Sequence, residues 1–301
     1  MQTGNIPNSG CAGRRLTDHS ESLVDDLDRA MDIDWNDAKA AALEAARQAG
    51  EILRSMLNRV DVREKGANDL VTDADLAAQR AIESLLMHRF PGHAFLGEES
   101  VDTLVSESSA WQWVVDPIDG TTNYAHGLRG FCVSIALLHG RKPVLGVILD
   151  PMAHEVFFAI SGKGAFLNDA RTGNGMGHRI IPASCNGLNK ALVAVSFPPS
   201  LNPDSPEIRH FLEILFHAQS VRRLGSAALN LCYVASGRLD AYFGSQLKVW
   251  DLAAAALIAS EAGVHLSRFD GSEFDPWKGE IAAAANHSLL EELLQKLRVS
   301  K

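Results

Sequence analysis

The spacing of apolar residues predicts two amphipathic helices followed by a series of short strands. A helical pattern covers residues 37–58. A second helix is predicted to begin at Thr72, which is spaced from Asp75 as in a capping box, and to extend to Phe90. Strands are predicted at 94–96, 111–115, 131–138, 143–149 and 155–160. Turn residues separate these strands and favour an antiparallel meander, whereas residues 168–177, rich in Gly and Asn, predict a loop.

Beyond about residue 184 the pattern changes to alternating strands and helices, which is typical of α/β architecture. The predicted strands cover 191–196, a position near 221, 239–243 and one short segment before the final helix, and the predicted helices cover 206–216, 226–236, 250–262 and 288–297. We therefore divide the chain into a polar, flexible extension over residues 1–33, an α+β half over 34–184 and an α/β half over 185–301.

Composition and charge exclude several classes of protein. The 301 residues are 46% hydrophobic and 22% charged, which is typical of a globular chain and not of a disordered or fibrous one. Lys and Arg number 28 against 37 Asp and Glu, without a basic block, so we expect no nucleic-acid partner. No apolar run reaches the roughly 18 residues of a membrane helix, and the N-terminus lacks the apolar segment of a secretory signal. We expect a cytoplasmic protein without a membrane partner.

Signals for disulfides and for several common cofactors are absent from the sequence. The four cysteines form no CxxC pair, and Cys132 and Cys232 lie in apolar segments, where we expect them to pack as small hydrophobic residues. The eleven histidines form no HExxH zinc motif. The glycines between residues 173 and 177 do not follow a strand into a helix, so they predict neither a dinucleotide site nor a P-loop.

The most informative segment follows the strand predicted at 111–115, where Asp116 and Asp119 flank Pro117 and Ile118. One interpretation is a polar turn closed by Asx-type hydrogen bonds. The other is a cation site, because Mg²⁺ prefers carboxylate and carbonyl oxygens.

Other acidic residues lie at the ends of predicted elements, where functional sites are commonly built. Glu98 and Glu99 follow a short strand, and a solvated loop is the alternative for them. Asp251 precedes an apolar helix and would serve as its N-cap, and helix capping alone also explains Asp75.

Taken together, these acids resemble the inositol monophosphatase family in order and spacing. The matching segments are Asp69 to Asp75, Gly97 to Ser100, Asp116 to Thr121, Gly225 to Ala228, Ala235 to Tyr242 and Trp250-Asp251. The resemblance covers residues 36–298 and implies a layered α-β-α-β-α sandwich, of the type shared with fructose-1,6-bisphosphatase, that forms a homodimer. In this arrangement the half over 34–184 carries most metal ligands and the half over 185–301 completes the site.

The resemblance also implies a Mg²⁺-dependent phosphomonoesterase that is inhibited by Li⁺. Glu98, Asp116 and the Ile118 carbonyl match the positions for one metal ion. Asp116, Asp119 and Asp251 match those for a second ion, so Asp116 would bridge the two. Two cations at such a site stabilise the attacking and leaving oxygens of an in-line displacement.

The same resemblance implies roles in catalysis and substrate binding. Thr121 and Asp75, with Glu98, match the residues that orient and activate a metal-bound water, which makes Thr121 a positioning group and not a nucleophile. The residues implied in substrate binding are Asp119, Gly120, Thr121, Thr122, Gly225, Ser226, Ala227 and Asp251. Backbone N–H groups of Gly120 to Thr122 would bind phosphate if that turn opens a helix.

The identity of the small phosphorylated metabolite is less defined. Many relatives carry a sugar-binding Glu where this chain has Gly244, so glycine would leave space for another alcohol unless Ser245 or Gln246 supplies the contact. Inositol 1-phosphate is the first expectation. Histidinol phosphate, fructose 1,6-bisphosphate and 3′-phosphoadenosine 5′-phosphate are alternatives within the enzyme class. A catalytically idle protein that binds phosphometabolites or acts as a scaffold is the alternative from another class.

Overall fold

The computed structural model describes residues 33–59, 62–66, 69–100, 109–171 and 177–299. Asn36–Lys301 forms one compact unit, to which nearly all of these residues belong. The predicted extension over residues 1–33 lies outside the described residues except for Ile33, so its character stays a prediction. In the described part of the chain, no helix is both long and apolar enough to span a membrane.

The described residues contain seven α-helices and fourteen strands. The helices are α1 (Trp35–Met56), α2 (Asp73–Arg89), α3 (Thr121–Ala125), α4 (Pro206–His217), α5 (Ala227–Ala235), α6 (Val249–Ala262) and α7 (His287–Val299). The strands are β1 (Val62–Gly66), β2 (Asp69–Thr72), β3 (Ala94–Gly97), β4 (Trp111–Asp119), β5 (Cys132–His139), β6 (Lys142–Asp150), β7 (Glu155–Ile160), β8 (Gly164–Asp169), β9 (His178–Arg179), β10 (Leu192–Ser196), β11 (Ser220–Arg222), β12 (Ala241–Gly244), β13 (His265–Ser267) and β14 (Ile281–Ala284).

The larger sheet has the order β3-β4-β5-β6-β7-β8-β9. Strands β4 to β9 pair antiparallel, so the predicted meander is confirmed over β4 to β7, and β8 and β9 extend it beyond the prediction. Strand β3 instead pairs parallel with β4. The loop predicted over 168–177 begins too early, since Asn168 and Asp169 pair with β7 as the end of β8, and residues 172–176 lie outside the described part.

The smaller sheet has the order β11-β10-β12-β14-β13. Strand β10 pairs parallel with β11 and β12, and β14 pairs antiparallel with β12 and β13. Two short strands therefore precede the final helix, where the sequence predicts one. The proposed boundary at residue 184 lies in the connection between β9 and β10, and the division into two halves stays a prediction.

Five layers are stacked in the order expected from the resemblance. Helices α5 and α6 lie between the two sheets, α1 and α2 cover the far side of the larger sheet, and α4 and α7 cover the far side of the smaller one. From Leu252 to Ala259 helix α6 is apolar on all sides, as expected for a helix buried between two sheets. At Gly146 of β6 an added Cβ would lie 2.6 Å from the carbonyl oxygen of Ala254, so glycine lets this helix approach the sheet closely. The predicted α-β-α-β-α sandwich is confirmed.

Several local elements were not predicted from the sequence, among them β8 and β9 at the end of the larger sheet. Strands β1 and β2 form a two-stranded antiparallel sheet, although residues 62–66 lack an apolar alternation. Helix α3 is only five residues long, too short for a helical period to be recognised. The capping box at the start of α2 is confirmed, because Thr72 accepts from the Ala74 N–H and donates its own N–H to Asp75.

Candidate active site

The end of β4 turns so that two acidic side chains leave the sheet close together. The ladder between β4 and β5 is irregular between Asp116 and Asp119, and Asp116 accepts a 2.9 Å hydrogen bond from the Ile118 N–H. Pro117 has no N–H to continue the ladder. Gly120 then adopts a φ of 101°, and an added Cβ there would lie 3.0 Å from the Gly130 carbonyl oxygen. The backbone thus requires glycine at this turn.

Asp119 is held by the first turn of α5. Its Oδ2 accepts from the Ser226 hydroxyl at 2.5 Å and from the Ala228 N–H at 2.7 Å, and its Oδ1 accepts from the Ala227 N–H at 3.2 Å. The Cys132 thiol, buried as expected, lies 3.8 Å from the same carboxylate. Ser226 and Ala227, which the resemblance implies as substrate contacts, here position Asp119.

Asp251 is the third residue of α6 and not its N-cap, so the capping position expected for it is wrong. Its Oδ2 accepts from the Lys248 N–H at 2.8 Å, which satisfies a backbone group at the start of the helix. The fold places Asp251 beside the end of β4: one carboxylate oxygen from each of Asp116, Asp119 and Asp251 lies within 4.8 Å of the others. We call these three residues the acid cluster.

Glu98 reaches the acid cluster because β3 runs parallel to β4. The Glu98 N–H donates to the Val115 carbonyl at 3.0 Å, and the Glu98 carboxyl is hydrogen-bonded to Asp116. The side chain of Gln79 in α2 fixes this loop, since its amide oxygen accepts from the Glu99 N–H at 2.8 Å and its nitrogen donates to Ser100. Gln79 was not identified from the sequence, where it is one polar residue within a helical pattern.

Burial and mutual repulsion make the charged forms of these acids unfavourable. Burial raises the pKa of Asp116 well above its ordinary value, and the charges of Glu98, Asp119 and Asp251 raise it further. Burial likewise raises the pKa of Asp251 and of Asp119, although the hydrogen bonds to Asp119 oppose the rise. A divalent cation bound by carboxylate oxygens would relieve this repulsion. The donor set therefore fits a hard metal ion.

Two further groups predicted to act on water lie in this region. Asp75 is buried, and its Oδ2 accepts from the Thr72 N–H at 2.8 Å and from the Thr72 hydroxyl at 2.6 Å. Its Oδ1 has no hydrogen-bond partner among the described residues. Burial, with smaller effects of Glu99 and Glu98, raises the pKa of Asp75 to about 7. The Thr121 hydroxyl donates to the Ile118 carbonyl at 3.0 Å, which leaves its oxygen as an acceptor.

Asn123 joins the turn after β4 to the loop before α5. Its side-chain nitrogen donates to the carbonyls of Gly130 and Leu224, both at 2.7 Å. Gly225 has a φ of 92°, and an added Cβ there would lie 2.6 Å from the same Asn123 nitrogen. Asn123 lies directly after the acidic segment that the sequence singles out, but only the contacts show its bridging role. The substrate-binding roles implied for Gly120, Thr122 and Gly225 stay predictions.

Residues 34–301 match the profile of the Inositol monophosphatase family. The chain belongs to the inositol monophosphatase family. It is 41% identical over 258 residues to Inositol monophosphatase 2 of Solanum lycopersicum, covering 82% of this chain and 92% of that one. It is also 37% identical to the Nus factor SuhB of Haemophilus influenzae, over 85% of this chain and 94% of that one.

A solved structure shares the fold of this inositol monophosphatase family member. The crystal structure of extragenic suppressor protein suhB from Bartonella henselae has a TM-score of 0.79 and 33% identity, covering 87% of this chain and 98% of that one. The family resemblance drawn from the acidic motifs is thereby confirmed.

The expectation of open space at Gly244 is wrong. An added Cβ would lie 2.9 Å from the Tyr242 hydroxyl, 3.0 Å from Leu247 and 3.3 Å from the Ser196 side chain. The side chains of Ser245 and Gln246 both donate to Glu207 at 2.9 Å. Packing from the neighbouring strand and loop therefore fills the position where many relatives have a carboxylate.

Proposed function

We propose that this protein hydrolyses small phosphate monoesters with Mg²⁺ as cofactor, and that inositol 1-phosphate is among its substrates. The observation that supports this most strongly is the convergence of Asp116, Asp119 and Asp251, from separate parts of the chain, with Glu98 against Asp116. An idle family member would have no need to keep these buried charges together, since they lower the stability of the metal-free fold.

The acid cluster, Glu98 and the Ile118 carbonyl are the groups that would hold Mg²⁺. Bound there, the ion supplies neutralising charge for the phosphate and lowers the pKa of water. The chain contributes proton acceptance and orientation. Asp75 has one oxygen without a hydrogen-bond partner among the described residues and a pKa of about 7, which suits exchange of a proton with water near neutral pH. Thr121 donates its hydroxyl proton to Ile118, so its oxygen is oriented to accept from that water.

Phosphate release from a panel of esters tests the proposal. The purified full-length chain should release phosphate from at least one of inositol 1-phosphate, histidinol phosphate, fructose 1,6-bisphosphate and 3′-phosphoadenosine 5′-phosphate when Mg²⁺ is present. Chelation should abolish this release, and we expect Li⁺ to inhibit it. A folded chain without Mg²⁺-dependent release from any ester would favour the idle alternative. The homodimer and the cytoplasmic location stay predictions, which gel filtration and cell fractionation would test.

A further inference from the structure

A cavity of about 670 Å³ opens beside the start of α6. Its walls include Pro199 and Ser200 after β10, Lys248 and Trp250 at the start of α6, and Lys278 before β14. We call this cavity the lysine pocket. Among the residues that the structure describes, two lysines and no carboxylate line it, so these walls carry net positive charge. Its volume falls in the range of small-molecule sites.

A backbone contact between two loops brings the lysines together. The Leu247 N–H donates to the Gly279 carbonyl at 3.0 Å, and Lys248 and Lys278 flank this pair. Gly279 has a φ of 66°, and an added Cβ there would lie 2.3 Å from the Leu247 carbonyl oxygen. The close approach therefore depends on glycine. Both lysines are exposed, and neither forms an ion pair among the residues that the structure describes.

Besides Asp251, three carboxylates near these loops accept hydrogen bonds from other donors. Glu207 accepts from Ser245 and Gln246. Asp275 accepts from the Trp277 N–H at 2.9 Å, and Glu280 accepts from the Phe269 N–H at 2.9 Å. Because both lysines are exposed and form no ion pair among the described residues, their ammonium groups can bind an anion from solution.

The lysine pocket borders the acid cluster. Lys248 donates its backbone N–H to Asp251, and its side-chain charge also acts on the Asp251 carboxylate, lowering its pKa against the dominant effect of burial. Lys248, Val249 and Trp250 line the pocket and directly precede Asp251, so a substrate with one phosphate at the acid cluster and a second anionic group in the pocket would span the first turn of α6. Lysine ammonium groups bind phosphate or carboxylate through charge-assisted hydrogen bonds.

We propose that the lysine pocket binds a second anionic group of the substrate, so that the preferred substrates are phosphate monoesters that carry another phosphate or a carboxylate. This inference rests on the proposed phosphatase function and narrows its substrate class. We expect a higher kcat/KM for bisphosphates than for inositol 1-phosphate. Histidinol phosphate should be a poor substrate, because both lysines would repel its cationic amine.

Matched substrate pairs test the inference. Adenosine 3′-phosphate and adenosine 3′,5′-bisphosphate differ only in the second phosphate, as do fructose 1-phosphate and fructose 1,6-bisphosphate. For each pair we expect a higher kcat/KM for the bisphosphate. The ratio of the two kcat/KM values should fall about tenfold in Lys278→Ala, equivalent to about 1.4 kcal/mol. It should fall further in Lys248→Ala with Lys278→Ala, and Lys278→Arg should retain most of it. Lys190→Ala, a change of an exposed lysine outside the pocket, should leave the ratio unchanged.

A binding measurement separates failure of the inference from failure of the proposed function. In the metal-free protein the acid cluster repels phosphate, so the bisphosphate should bind through the lysine pocket and change the fluorescence of Trp250 and Trp277, which line it. The double lysine variant should lose this change. Phosphate release without a bisphosphate preference, or with a ratio that Lys278→Ala does not alter, would overturn the inference and leave the phosphatase intact.

The remaining outcomes also decide between the two proposals. Absence of bisphosphate binding to the metal-free wild type would overturn the inference whatever the activity. A further outcome is that inorganic phosphate alone binds as tightly as the bisphosphate while kcat/KM is the same for the bisphosphate and the monophosphate. In that case the pocket binds a separate anion and the inference is wrong. Binding that depends on both lysines, without hydrolysis of any ester, would instead overturn the proposed phosphatase and its substrate assignment together.

Discussion

The acid cluster and the lysine pocket are joined by the first turn of α6, yet they are built in opposite ways. Asp116 and Asp119 are buried, and backbone N–H groups bind their carboxylates. Lys248 and Lys278 are exposed, and their ammonium groups have no such partners among the described residues. One region is held rigidly by the fold, and the other is presented on loops by long side chains.

This contrast separates the chemistry from the choice of substrate. Metal ligands and proton acceptors must be placed within fractions of an ångström, which buried strand ends and backbone hydrogen bonds achieve. Recognition of a distant charge tolerates flexible side chains, and loops change sequence at little cost to the fold. We therefore expect substitutions in the acid cluster to affect every substrate and substitutions in the lysine pocket to affect only some.

The largest effect is expected for Asp119→Asn. The substitution removes a charged group from the acid cluster, and its amide nitrogen would face donors from Ser226 or Ala228. We expect kcat to fall at least about 100-fold on every substrate, because changing even the outer partners of metal ligands costs about 10–100-fold.

A matched control for this variant is Asp150→Asn. Asp150 is also buried and accepts from two backbone N–H groups, each at 2.8 Å, but it does not belong to the acid cluster. Like Asp119→Asn, Asp150→Asn should lower the free energy of unfolding, because a buried carboxylate that accepts backbone N–H groups is replaced. Unlike Asp119→Asn, it should leave kcat unchanged. Near-normal turnover of Asp119→Asn with Mg²⁺ would remove Asp119 from the site.

Mg²⁺ should stabilise the fold, and more so at high pH. The pKa of Asp75 is raised from 3.8 to about 7, so between these values the folded metal-free protein holds a proton that the unfolded chain has lost. The contribution of Asp75 to stability is therefore fully present below its ordinary pKa and is lost as the pH rises through about 7. Mg²⁺ replaces protons in the acid cluster and should contribute about 2.7 kcal/mol at 100 times its Kd.

Thermal unfolding with Mg²⁺ or chelator at about pH 6 and about pH 8.5 measures this difference. The increase in Tm caused by Mg²⁺ should be larger at the higher pH, where fewer protons compete for the carboxylates. Ca²⁺ and K⁺ at equal ionic strength serve as controls for ion size and for screening. Equal shifts at both pH values, or no shift with Mg²⁺, would contradict the assignment of the acid cluster as a cation site.

Thr121→Ala should reduce turnover without a matching loss of affinity. The hydroxyl is oriented by its bond to the Ile118 carbonyl, and loss of one orienting group in the transition state is expected to lower kcat about tenfold to 100-fold while KM changes little. Thr121→Ser keeps the hydroxyl and should keep most of kcat. Equal turnover in the two variants would exclude an orienting role for this oxygen.

Gly244→Ala tests the smallest effect, the packing of β12 against Leu247, which lines the lysine pocket. The added methyl would press on the Tyr242 hydroxyl and Leu247, and overpacking of this kind costs about 1–3 kcal/mol. Gly92→Ala is the control, since a Cβ at Gly92 meets no described atom within 4 Å. Urea unfolding of both variants should show the loss only at Gly244. A Gly244 variant as stable as wild type would restore the idea of open space for a carboxylate there.

Prediction from the sequence succeeded where the signal is local. The capping box at Thr72, the meander and helix α6 follow from short patterns, and the order of the acids was sufficient to recognise the family. It failed where a pairing partner is distant. The parallel pairing of β3 with β4 depends on contacts between segments about 18 residues apart, and the hairpin of β1 and β2 was missed for another reason, since residues 62–66 lack an apolar alternation.

The sequence by itself determined which groups are available: carboxylates at the ends of apolar elements, a threonine after Gly120 and a buried helix to carry Asp251. Only the tertiary structure decided how they combine. It brought Glu98 to Asp116, gave Asp119 its donors from α5, filled the space at Gly244 and joined Lys248 to Lys278 through Leu247 and Gly279. The reason is physical: residue type and spacing set the local chemistry, but distances between remote segments follow from how the sheets and helices pack.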